Sequence, residues 1–223
     1  MTTLQKNQID FSDPNLELAE AALLIAQDEY PDLDIPLYLR RFDEWAERAN
    51  KRIPEKASIA DAIGALNHVL FKEERFSGNA LDYYDPRNSF LNEVMDRKVG
   101  IPITLSIIYL EVGQRIGLPL VGVSFPGHFL VKCAIQEGDV ILDPFAGGAS
   151  LGKEELETQL EHIYGKDNAR NMALAPLLIP AENKEILARL LRNLKAIYLH
   201  HNKMHEALNI VDRMLTITPD VAG

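Results

Sequence analysis

Apolar residues recur three and four positions apart over the first third of the chain, the spacing of amphipathic helices. Residues 16–30 place Leu16, Leu18, Ala19, Ala22, Leu23 and Ala26 on one stripe, with Asp13-Pro14 before them and Pro31 after. A second helix is predicted over residues 36–49, with Leu37, Leu39, Phe42, Trp45 and Ala46 inward. A third spans residues 58–71, opened by Ser58 as N-cap with Asp61 three residues on, a variant of the capping box. Residues 76–89 are rich in turn formers and read as a loop. A short helix follows over residues 89–97, then a Gly100-Ile101-Pro102 turn and a helix to Ile116, closed by Gly117 with Pro119 beyond.

At Leu120 the period changes to two. Val121, Val123 and Phe125 alternate, residues 129–135 form a second strand, Gln136-Glu137-Gly138-Asp139 signals a hairpin turn, and residues 140–142 form a third strand. Strands this close in sequence are most simply antiparallel. The plan is therefore α+β, a small antiparallel sheet packed on helices. Helix returns over residues 150–164, with a connector at 165–180 and a helix–turn–helix from about 189 to 220. Leu194, Tyr198 and Ala207 fall on positions of the tetratricopeptide pattern when counted back from Pro219. Lys195 and Leu191 replace its glycine and tryptophan. One such repeat cannot bury its own apolar face, so it must dock on the core, continue, or meet a partner.

The 223 residues suit a core of residues 1–180, beginning with a loose leader over 1–13, followed by a helical segment at 181–223. An apolar fraction of 47% and a charged fraction of 25% are those of a globular protein. No apolar run reaches the roughly 20 residues that span a bilayer, and no secretory signal opens the chain. One cysteine, Cys133, allows no intrachain disulfide, which fits a cytoplasmic protein. A net charge of −10 disfavours nucleic acid, and nothing calls for a cofactor.

The chemistry concentrates between residues 83 and 143. A helix starts at Pro102, and His128 and Asp143 follow on two successive predicted strands. That is the order of a nucleophile–histidine–aspartate triad with proline at the nucleophile's place. Cys133 lies on the opposite face of the strand assigned to His128 and reads as a buried structural thiol. Ser106 is one turn after Pro102 but deeper, and its plain reading is a hydroxyl bonded back to a carbonyl. Thr104 is rotated away. Tyr83, Tyr84, Asp85, Arg87 and Asn88 read either as a well-bonded loop, the preferred reading, or as a cleft rim that contacts a ligand or peptide. His201 and His205 are four apart on a helix but lack a third ligand, so no metal site is expected. Glu154, Glu155, Glu157 and Glu161 form a solvated acidic face.

The segments YYDPRNSFLNEVMDRKVGIPITLS, YLEVGQRIGLPLVGVSFPGHFLV and LDPFAGG resemble the transglutaminase-like core family of bacterial SirB-type proteins. Its domain also occurs in an F-box protein. The resemblance covers nearly the whole chain and implies a papain-like fold with the helical tail after it. Active transglutaminase-like enzymes carry Gly-x-Cys at the start of the equivalent helix. Alignment on Gly117-Leu118-Pro119 puts that cysteine on Pro102 and the other two triad positions on His128 and Asp143. The resemblance thus implies a non-catalytic descendant that binds a protein or peptide in a regulatory role. The alternative is a cysteine-independent hydrolase or acyl transferase in which the His128–Asp143 pair activates water or a hydroxyl.

Overall fold

The computed structural model of the chain describes residues 17–135 and 138–217. The leader and the turn residues Gln136-Glu137 lie outside the described residues, as does Pro219. Three helices come first: α1 (Leu18–Gln27), α2 (Ile35–Asn50) and α3 (Ile59–Asn67). Asp34 caps α2 by accepting from the Leu37 amide at 3.1 Å. The Ser58–Asp61 box forms as expected, with Asp61 N donating to Ser58 Oγ at 3.2 Å and Ser58 N to Asp61 Oδ2 at 2.8 Å. The third helix does not stay α-helical to Phe71. It widens into a π turn over His68–Glu73, for which the apolar spacing gave no warning.

The loop at 76–89 has more structure than expected. It contains β1 (Ser77–Gly78) and a 3₁₀ turn at Pro86–Ser89, followed by α4 (Leu91–Arg97) and β2 (Val99–Gly100). The two short strands pair in parallel and lay residues 77–79 beside the start of α5 (Pro102–Arg115). Every residue of α5 from Pro102 to Gly113 is buried. A helix covered on all sides is the axis of a core, and around it pack α1, α2 and the sheet. Full burial of each large aliphatic or aromatic side chain contributes roughly 1.5–3 kcal/mol.

The sheet has five strands rather than three. Its order is β6 (Ala149–Leu151), β5 (Gly138–Asp143), β4 (Leu130–Ile135), β3 (Leu120–Val123), β7 (Pro180–Ala181), antiparallel throughout. Val131, Cys133 and Leu142 face α5, whereas Val123, Leu130 and Ile141 face α6 (Lys153–Tyr164) through Leu156 and Leu160. Residues 165–180 are not a bare connector: they contain α7 (Lys166–Ala169), a 3₁₀ turn at Ala175–Leu178 and the start of β7.

Two helices close the described chain, α8 (Asn183–His200) and α9 (Met204–Ile217). The first begins earlier than the pattern suggested. Ile186, Leu187, Leu190 and Leu191 join the main core, and Leu194, Tyr198 and Ala207 pack with Ala26 and Phe90. Arg213 donates twice to Asp28, at 2.9 and 3.0 Å. The helical hairpin is therefore docked on α1 and α4's entry, while β7 stitches its base to the sheet.

Candidate functional site

The start of α5 is closed by its own surroundings. Pro102 is buried and brings no N–H. Ile101 N donates to Thr104 Oγ1 at 3.1 Å, and that hydroxyl lies 2.9 Å from Asn88 O and 3.1 Å from Ile101 O. Thr104 is thus spent on capping the helix.

His128 does not lie on a strand. It ends a tight turn in which its amide donates to Phe125 O at 3.1 Å, two residues before β4 begins. Pro126 and Gly127 occupy the turn's centre, and Gly127 has φ +63°, which favours glycine there. The turn frees the imidazole from the pleat and lets it lie toward the end of β5. Its Nε2 lies 2.9 Å from Asp143 Oδ2, an ion-pair distance, but outside good hydrogen-bond alignment. Asp143 is buried, and its Oδ1 accepts from Phe145 N at 2.9 Å and Ala146 N at 3.3 Å. The carboxylate therefore caps a 3₁₀ turn (Pro144–Ala146) and holds His128 at once.

Phe145 meets the imidazole edge-to-face, ring centres 5.9 Å apart. On its other side it leaves no room beside Gly78, where a Cβ would lie 2.5 Å from the ring. A cavity of about 480 Å³ lies beyond, lined by Asn67, His68, Phe71, Phe76, Gly78 and Phe145 among others. Asn67 fixes the following loop by donating to Gly148 O at 3.1 Å, while accepting from Tyr109 OH at 2.8 Å.

Arg189 of α8 reaches the turn from behind. It donates to Ser124 Oγ at 2.6 Å and to His128 O at 2.7 Å, with its guanidinium carbon 5.7 Å from the Phe129 ring centre. Burial and the neighbouring Arg192 pull its pKa down. Burial pushes the Tyr83 phenol up, with Arg189 opposing. Sequence reasoning missed Arg189, Phe145 and Gly78. Phe145 and its loop lay inside a quoted motif, but Arg189 sits some sixty residues away and only α8's docking brings it here.

The remaining candidates separate. Ser106 is buried, and its Oγ donates across to Phe129 O at 3.4 Å, not back to its own helix. It ties α5 to the His128 segment. Cys133 is buried against α5, and burial raises its thiol pKa, with Asp139 adding to the rise. Burial works against the Asp85 charge, but hydrogen bonds from Arg87 outweigh it and hold the carboxyl below its usual value. Asn88 is fully buried. It accepts from Asn79 Nδ2 at 3.1 Å and Arg97 Nη1 at 3.4 Å, and donates to Asp82 O at 2.7 Å and Tyr83 O at 3.3 Å. Tyr84 is half exposed, stacks on His200 at 4.6 Å, and its carbonyl lies 2.9 Å from His201 Nε2. His205 lies near Asn209, and among the described residues no cluster could hold a metal. Glu154, Glu155 and Glu157 are exposed, Glu161 partly so.

The profile of the transglutaminase-like superfamily matches residues 37–192, most of the chain and all of the site. The chain belongs to that superfamily. The transglutaminase-like chain is 43% identical over 208 residues to a UPF0162 protein of Xylella fastidiosa, covering 93% of this chain and 74% of that one. It is 23% identical to Protein SirB1 of Salmonella typhimurium over 214 residues, covering 95% and 77% of the two. F-box only protein 21 of Mus musculus is 34% identical over 126 residues, 51% of this chain and 20% of that one. These relatives mark it as a SirB-type member. No solved structure matches it. No helix among the described residues is long and apolar enough to cross a membrane.

Proposed function

We propose that this transglutaminase-like protein is non-catalytic and binds a protein or peptide as a regulatory module. The observation that carries the reading is Pro102 at the head of the buried helix, where the superfamily's thiol enzymes place their nucleophile. A thiolate there draws on the unpaired amides of the helix start. Here proline removes one amide and Thr104 takes another. Of the candidates the sequence offered, Ser106 is engaged with Phe129 O and Cys133 lies inside the core.

The tail favours binding over a purely structural role. Leu199, Met204, Leu208 and Leu215 are 41–60% exposed on the hairpin, although its other apolar face is docked. An exposed apolar stripe on a helical repeat of tetratricopeptide type fits a partner segment.

One observation favours the second reading, hydrolysis by activated water. Asp143 still holds Nε2 of His128, and among the described residues no hydrogen bond engages Nδ1, the atom a base would use. Incubation of the purified protein with amide and ester acyl donors separates the two. The proposal expects no turnover above buffer. Turnover that disappears in His128→Ala would establish the hydrolase instead.

A further inference from the structure

The molecule has an excess of acids, and its partly buried arginines generally find one. Arg41, Arg48, Arg97, Arg115 and Arg213 each sit on a carboxylate. Arg189 does not. It is largely covered, yet its bonds go to a hydroxyl and a carbonyl, both neutral. Glu185, one turn earlier and placed to pair with it, instead accepts from the Glu182 amide at 2.8 Å as the cap of α8. The charged side chain that acts on it is another cation, Arg192, which is exposed and one turn on. Taking a guanidinium from water without a counter-ion is costly, and a negative group placed against it recovers part of that cost. Among the described residues nothing engages Nε–H or the second hydrogen on each terminal nitrogen, which leaves donors of the planar guanidinium for a carboxylate.

The position of this charge gives it meaning. Arg189 holds the carbonyl of His128 itself, so the cation and the imidazole belong to one turn. Tyr83, from the loop before α5, is close enough to feel it. The vacant donors therefore lie where the His128 turn, the Tyr83 loop and α8 meet. We infer that Arg189, backed by Arg192, is a carboxylate-binding site beside His128, which anchors an acidic side chain or the C-terminal carboxylate of the bound peptide. The inference rests on the peptide-binding reading of the same site. A net charge of −10 works against multiply charged anions and leaves a single carboxylate as the fitting class.

The test is NMR of the arginine Nε–Hε groups of the wild-type protein, titrated with acetate against chloride at constant ionic strength. Two ten-residue peptides of otherwise neutral sequence follow, one with a free C-terminus and one amidated with internal glutamates. A saturable shift at Arg189 with acetate, exceeding that of the exposed Arg75, is expected. Whichever peptide shifts Arg189 identifies the source of the carboxylate. Arg189→Gln should weaken that peptide about tenfold, and Arg189→Lys, which keeps charge without the fork, by less. No Arg189 shift with acetate or either peptide overturns the inference without variants, so loss of folding in Arg189→Gln cannot obscure the answer. An amidated neutral peptide that binds as well as the acidic ones would overturn carboxylate anchoring while leaving peptide binding in place. Acyl-donor turnover is read separately, so failure of the non-catalytic reading is seen in that assay alone.

Discussion

Two polar regions flank the His128–α5 junction, and they are built differently. On one side, Asp85, Asn88 and Thr104 form a closed knot. Asn88 makes four side-chain hydrogen bonds, Thr104 caps the helix, and Asp85 is gripped by Arg87 and Arg97. On the other, among the described residues, His128 has one misaligned polar contact and an unengaged Nδ1, and Arg189 has a charge without a counter-ion. Buried polar groups that satisfy one another specify a structure. Groups left partly unsatisfied and partly exposed are what a ligand can complete. The motif-rich loop is chiefly the knot, in line with its preferred reading as a well-bonded loop, and the unsatisfied groups lie beside its Tyr83 end.

The largest effect should come from cutting the knot. Asn88→Ala leaves several buried partners unmatched and should lower stability by about 3 kcal/mol, read from the urea midpoint. A loss under about 1 kcal/mol would mean the loop is not held as described. Next is Asp143→Ala, which removes the acceptor of two amides as well as the partner of His128, expected at about 2 kcal/mol. His128→Ala should cost under about 1 kcal/mol, because the ring lacks an aligned hydrogen bond. If the two variants lost equal stability, the pair would be a structural rivet and the contrast between the two sides would fail.

The pH dependence sharpens the same contrast. The Asp85 carboxyl is held below its ordinary value in the folded protein. Its stabilisation is therefore complete above the unfolded value, near ~3.9, and is lost as pH falls through the lower folded value. Wild-type stability should fall in that acid window, and Asp85→Asn should flatten the fall. An unchanged acid limb would remove Asp85 from the account.

Much of this was legible in the sequence. The capping box at Ser58, the helix from Pro102 and the period-two strands followed from local rules that packing reinforces. The His128–Asp143 pair followed from order along the chain. What escaped depends on non-local contacts. β7 is a two-residue strand defined only by its pairing with β3, and the π turn after Asn67 has no apolar signature. The sequence reading put His128 on a strand, whereas Pro126 and Gly127 make a turn that ends at His128, two residues before β4. Arg189 was invisible because its value lies in what surrounds it, and only the docking of α8 brings it to the His128 turn.

The central claim is that Pro102 stands where a working thiol would stand, within a frame otherwise kept. Pro102→Cys tests it most directly through the pH dependence of alkylation by iodoacetamide, with wild-type protein and its buried Cys133 as background. The account predicts a new thiol with a pKa clearly below the ordinary value of about 8.5, rising when His128→Ala is added. A thiol that titrates at the ordinary value, indifferent to His128, would mean that Pro102 and His128 do not share a site.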